Sequence, residues 1–172
     1  MFEKVLIPTD LSETSGKLIA CANGIRNIKE VVLLHIIRKG DISRLEREDV
    51  ERQQALITNS DIAVRCIIQE DDVNDIPASI LKAAASKQPT LIIMGARKGR
   101  LSKILLGHDD IEVLARSRTN VLIMRFPGQG FFAPRPQVER PQFSKILFLL
   151  DFSRPANVAL AAIKEIEGGC PR

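Results

Sequence analysis

The chain has no tryptophan, no tyrosine and only seven phenylalanines among its 172 residues. Single-strand nucleic-acid binders stack bases on aromatic platforms, and this chain has few rings to offer. Its core must be built from Ile, Leu, Val and Ala. Cysteine is equally sparse: Cys21, Cys66 and Cys170 are an odd number, widely spaced, with no CxxC pair. This argues against a disulfide framework or a cysteine zinc site, and predicts reduced, buried thiols in a cytoplasmic protein. No apolar run reaches the length of a bilayer span, and the opening "MFEKVLIPTD" breaks after seven residues, too soon for a secretory leader. Low-complexity tracts are missing as well. What remains is a chain 45% apolar and 27% charged, sized for one good domain plus a fragment.

The net charge of +4 is mild, and the excess gathers in Arg97, Lys98, Arg100, Lys103, Arg116, Arg118 and Arg125. So local a bias suits a small anionic ligand better than a nucleic-acid track. The chain alternates short β-branched runs with amphipathic stretches. "KVLIPTD", "VVLLHII", "IAVRCII", "TLIIMG" and "NVLIMR" read as strands apolar on both faces, which predicts a parallel sheet covered on each side by helices. Ser12 reads as the N-cap of the first helix, whose buried stripe runs through Leu18, Cys21, Ala22, Ile25 and Ile28. A charge-interleaved helix is expected near Ile42–Ile57, a third over Ile76–Ala85 with Pro77 in its first turn, and a short fourth over Ile111–Ala115. Right-handed crossovers then bring the strand ends "PTD" and "MGARKG" to one rim, where open α/β sheets bind ligands.

Residues 127–142, "PGQGFFAPRPQVERP" and its flanks, carry four prolines and read as a linker. Beyond them "KILFLLDFS" repeats "KVLIPTDLS", and a helix through Val158, Ala162 and Ile166 echoes the first helix. Residues 143–172 thus read as a second repeat limited to one strand and one helix.

"MGARKGRLSKILLGHDD" carries the candidate chemistry. Glycines after a strand let backbone amides approach phosphate oxygens, and a following helix start adds partial positive charge. Met94, Gly95, Gly99 and Gly107 supply the turn, Arg97 and Lys98 charge-assisted donors, and His108 a further donor. Asp109 and Asp110 suit the cap and first turn of the next helix, and could hold phosphate only across a divalent cation. His35 sits in an apolar strand with no nucleophile pattern about it and reads as a satisfied core histidine. No Ser-His-Asp, zinc or paired-acid arrangement stands out.

Taken in order, "KVLIPTDLS", "LLHII", "LIIMGARKG", "LLGHDD" and "NVLIMR" resemble the universal stress proteins. The resemblance covers residues 1–126 as a whole domain and 143–168 as the start of another. It implies a Rossmann-like open parallel sheet of five strands in the order 3-2-1-4-5, with helices on both faces, and a homodimer. It implies a stress-response sensor that binds an adenine nucleotide, ATP with Mg or AMP, with at most slow hydrolysis; the alternative is a stress protein that acts through protein association. Pro8, Thr9 and Asp10 would line the adenosine side of the crevice and Ile36 the base. The binding subgroup's glycines follow G-x2-G-x9-G and then Ser or Thr; here Gly95, Gly99 and Gly107 leave gaps of three and seven residues, and His108 stands at the hydroxyl position.

Overall fold

The computed structural model describes residues 2–40, 44–71, 74–95 and 108–124. Five strands, β1 (Lys4–Thr9), β2 (Glu30–Ile37), β3 (Ala63–Glu70), β4 (Leu91–Gly95) and β5 (Asn120–Met124), alternate with four helices. These are α1 (Glu13–Cys21), α2 (Arg44–Gln54), α3 (Ile76–Lys87) and α4 (His108–Arg116). All strand pairings are parallel and the sheet order is β3-β2-β1-β4-β5. The expected fold class and strand order are therefore those observed.

Alternation along each strand divides the core into two layers, because successive side chains point to opposite faces. Val5, Ile7, Val31, Leu33, Leu91 and Ile93 pack with Leu18, Ile19 and Ala22 of the α1 region. Leu6, Val32, Leu34, Ile92 and Met94 pack with Ile80, Ala83 and Ala84 of α3 and Val113 of α4. The three inner strands are buried on both faces, as their unbroken apolar runs require. The edges of the described sheet are not: β5 is half-buried over Val121–Met124 and β3 mixes exposed and half-buried positions. Cys66, expected to be buried, is exposed; it lies on β3, which among the described strands has a neighbour on one side only.

The helix boundaries follow local chemistry. Ser12 caps α1 by accepting from the Ser15 amide. The predicted stripe outruns the helix: α1 ends at Cys21, a 3-10 turn covers Ala22–Gly24, and Ile25 and Ile28 reach the core from the connection to β2. Asp75 caps α3 through the Ala78 amide, Pro77 sits in the first turn, and Gln88 closes the helix in the left-handed region with φ 50°. The α4 helix begins at His108, three residues before the expected start, and takes Asp109 and Asp110 into its first turn. The linker and the repeat expected over 127–142 and 143–172 lie outside the described residues.

Candidate functional site

The chain runs from β1 outward through β2 to β3, then crosses to the other side of β1 for β4 and β5. The carboxyl ends of β1 and β4 therefore flank the point where the winding reverses, which in open α/β sheets opens a crevice. Thr9 pairs with His35 across β1 and β2. Continuing the β1–β4 register from Leu6↔Ile92 sets Thr9 level with Gly95. Pro8, Thr9, Asp10, Ile36, Met94 and Gly95 are thus gathered on one rim by strand pairing alone. Thr9 is buried, Pro8 and Ile36 are half-buried and Asp10 is exposed. Arg97, Lys98, Gly99 and Gly107 lie outside the described residues. The His108 backbone opens α4, so the positive end of that helix dipole begins at this residue.

The β1 rim is held by a dense hydrogen-bond network. The Thr9 hydroxyl accepts from the Leu11 amide at 3.0 Å and donates to Gln53 Oε1 of α2 at 2.5 Å. The same glutamine donates through Nε2 to the Ser12 carbonyl at 3.2 Å. Asp10 Oδ1 accepts from the Ser12 amide at 3.1 Å and from the Ser15 hydroxyl at 2.5 Å. Between these anchors Leu11 adopts φ 61°, a left-handed conformation that costs an ordinary L-residue roughly 1–2 kcal/mol. The network holds the turn there, and Asp10 presents its carboxylate as a turn acceptor as well as a rim group.

His35 is buried, and its Nδ1 lies 3.0 Å from the Thr9 carbonyl. A carbonyl only accepts, so Nδ1 carries the proton and donates. Its Nε2 has no hydrogen-bond partner among the described residues, so the ring is satisfied on one side only. The histidine thus belongs to the support of the β1 rim. Gly95 has a packing reason for lacking a side chain: a Cβ there would lie 2.9 Å from Leu18 Cδ1 and 3.8 Å from Thr14 Cγ2. The two described thiols are free, and burial pushes the Cys21 thiol up to about 11. Burial raises the Cys66 thiol too, with the Glu51 carboxylate adding to the effect. Among the described residues no cluster of His, Cys, Asp and Glu could hold a metal ion, and no helix is long and apolar enough to cross a membrane.

Gln53 and Ser15 were not legible as site residues, yet both left a trace in the sequence. Val50, Gln53 and Ile57 continue one helical stripe, and a glutamine on such a stripe must find partners when buried. Ser12 and Ser15 have the three-residue spacing of a capping pair.

The universal stress protein family profile matches residues 1–125. The chain belongs to the universal stress protein family. Among solved structures, this universal stress protein is similar to the hypothetical protein PH0823, with 29% identity over 73% of this chain and 97% of that one, at a TM-score of 0.54. It is also similar to the hypothetical protein MJ0577, at 27% identity over 74% of this chain and 99% of that one, with a TM-score of 0.56. A universal stress protein solved in complex with cAMP shares the fold at 17% identity, covering 72% of this chain and 97% of its own, with a TM-score of 0.56. Comparison with curated protein sequences returns no significant match.

Proposed function

We propose that this universal stress protein binds an adenine nucleotide, ATP or AMP, at the rim formed by Pro8–Asp10, Ile36 and Met94–Gly95, and acts as a cytoplasmic sensor in the stress response. The observation that carries this reading is the meeting of "PTD" and "MG" at the β1/β4 switch point, with a pre-formed acceptor turn on the β1 side. The adenosine moiety, with its amine and ribose hydroxyls, suits the Asp10 side. The phosphates suit the other side, where the α4 amino end at His108 adds partial positive charge; the sequence offers Arg97 and Lys98 as cations and Gly99 and Gly107 as permissive backbone for them. Mg would accompany ATP. The cAMP complex of a distant relative is in keeping with an adenine ligand on this fold.

Calorimetry of the full chain with Mg·ATP, AMP and cAMP tests the reading. Heat of binding with a dissociation constant in the micromolar range, about −8 kcal/mol, is the expected result. Absence of heat with all three at millimolar concentration would rule it out.

A second reading, action through protein association, is favoured by β5. Among the described residues it is an edge strand, half-buried over Val121–Met124, and Leu114 on the preceding helix is 43% exposed. Both readings accommodate a homodimer formed at this edge.

A further inference from the structure

We propose that Gln53 is the positioning residue of the β1 rim, a clamp through which α2 fixes the Asp10–Ser12 turn. That this turn meets nucleotide rests on the reading above; that Gln53 holds it rests on the hydrogen bonds alone. The Gln53 side chain is 8% exposed and uses both ends of its amide. It accepts from the Thr9 hydroxyl on one side of Leu11 and donates to the Ser12 carbonyl on the other. It therefore spans the one residue of the turn whose backbone is left-handed, at φ 61°. Without the clamp, Leu11 gains by relaxing to negative φ, and Asp10 and Ser12 move with it.

The approach of α2 that makes this reach possible is itself built into α1. A Cβ at Gly16 would lie 3.3 Å from Leu56 Cδ1 and 4.0 Å from Gln53 Nε2. A helix-interior glycine is unfavourable by propensity, so its place here is explained by the closeness of the two segments. On its other side the last turn of α2 is tied to the sheet edge, where Gln54 Oε1 accepts from Cys66 Sγ at 3.2 Å. One helix end thus connects the rim to an exposed thiol on β3. A ligand that needs the clamped turn must by linkage also steady α2, and the reactivity of Cys66 reports that change.

Amide hydrogen exchange over residues 9–16 of the full chain decides the clamp. Gln53→Leu removes both bonds, and exchange there should rise about tenfold over wild type while the β4 and α3 amides stay as they were. Gln53→Glu supplies the conservative rescue. As a neutral acid the introduced side chain accepts from Thr9 and donates to Ser12; ionised, it sets a carboxylate against the Ser12 carbonyl. Hydrogen bonding and burial favour the neutral form, so the folded-state pKa of the introduced carboxyl is raised. The protection it gives is present at low pH and lost as pH rises through that value. The readout is the ratio of variant to wild-type exchange at about pH 5 and about pH 8, which removes the intrinsic pH dependence of amide exchange common to both proteins. Should Gln53→Leu fail to fold, the Gln53→Glu ratio carries the test. Wild-type exchange in Gln53→Leu, or a pH-independent ratio in Gln53→Glu, overturns the clamp.

AMP and Mg·ATP then test the link to the ligand, in a Cys170→Ser background. Nucleotide should bind Gln53→Leu about tenfold more weakly and slow Cys66 labelling in the protein that keeps Gln53. If that protein binds no nucleotide, the nucleotide reading falls and the exchange ratio alone judges the clamp. If nucleotide binds equally well with and without the Gln53 amide, the clamp has no part in recognition.

Discussion

Gly95 is the residue at which sequence and structure part most instructively. In "MGARKG" its obvious meaning is a backbone that lets phosphate approach, and its place at the end of β4 keeps that meaning available. The structure adds a second constraint that no local pattern contains. The missing Cβ would press on Leu18, 2% exposed in the α1 core layer, at 2.9 Å. Gly95→Val should therefore destabilise the protein by about 1–3 kcal/mol with no nucleotide present, through overpacking. Urea denaturation of wild type and variant in nucleotide-free buffer measures this, and equal midpoints would return Gly95 to a purely ligand-facing role. A binding loss in this variant is informative only after that correction. His35 shows the reverse case. Its burial follows from the apolar run around it, but its bond to the Thr9 carbonyl depends on β1 and β2 lying side by side in one register.

Among the elements, those fixed by their own residues were legible. The α1 cap at Ser12, the proline in the first turn of α3 and the five apolar strands follow from capping chemistry and periodicity, which act over a few residues. The interleaved charges of α2 predict a solvated outer face, and Glu51 and Arg52 are exposed there. Its function lies in Gln53, whose partner Thr9 is 44 residues away, beyond any local signal. The connection between α2 and β3 has a similar hidden anchor. Asn23 Oδ1 accepts from the Thr58 and Asn59 amides, while its Nδ2 donates to the Ala20 and Leu56 carbonyls. One side chain in the turn after α1 thereby fastens the segment that brings α2 into place. Thr58 and Asn59 are exposed, so water replaces part of what is lost on substitution. Asn23→Ala should then cost about 1–2 kcal/mol rather than the sum of four bonds. Thermal unfolding would show it as a drop in midpoint of several degrees, and an unchanged midpoint would mean that the loop is held by packing alone.

For the molecule as a whole, burial made a parallel sheet covered on both faces legible, whereas the strand order 3-2-1-4-5 was implied only by the resemblance to the universal stress proteins. In the observed sheet β4 lies beside β1, with β2 and β3 on the other side of β1. Which edge is sealed is a different matter, because edge exposure depends on what lies beyond the sheet. Among the described residues β5 pairs with β4 alone, beside half-buried Val121, Leu122, Ile123 and Met124. Open edges of this kind favour pairing with another strand. The sequence contains a strand-like segment, "KILFLLDF", too apolar to stand in water unpartnered. The expected outcome is a full chain that scatters light as a homodimer, at twice the 19.1 kDa chain mass. Two changes should shift it toward monomer. One is ending the chain at Phe126, which removes the apolar segment; the other is Ile123→Lys, which sets a charge on the edge at a position already half exposed to water. If the full chain and the version ending at Phe126 both scatter as monomers, pairing between copies at this edge is excluded. If the dimer survives Ile123→Lys, it forms on another surface.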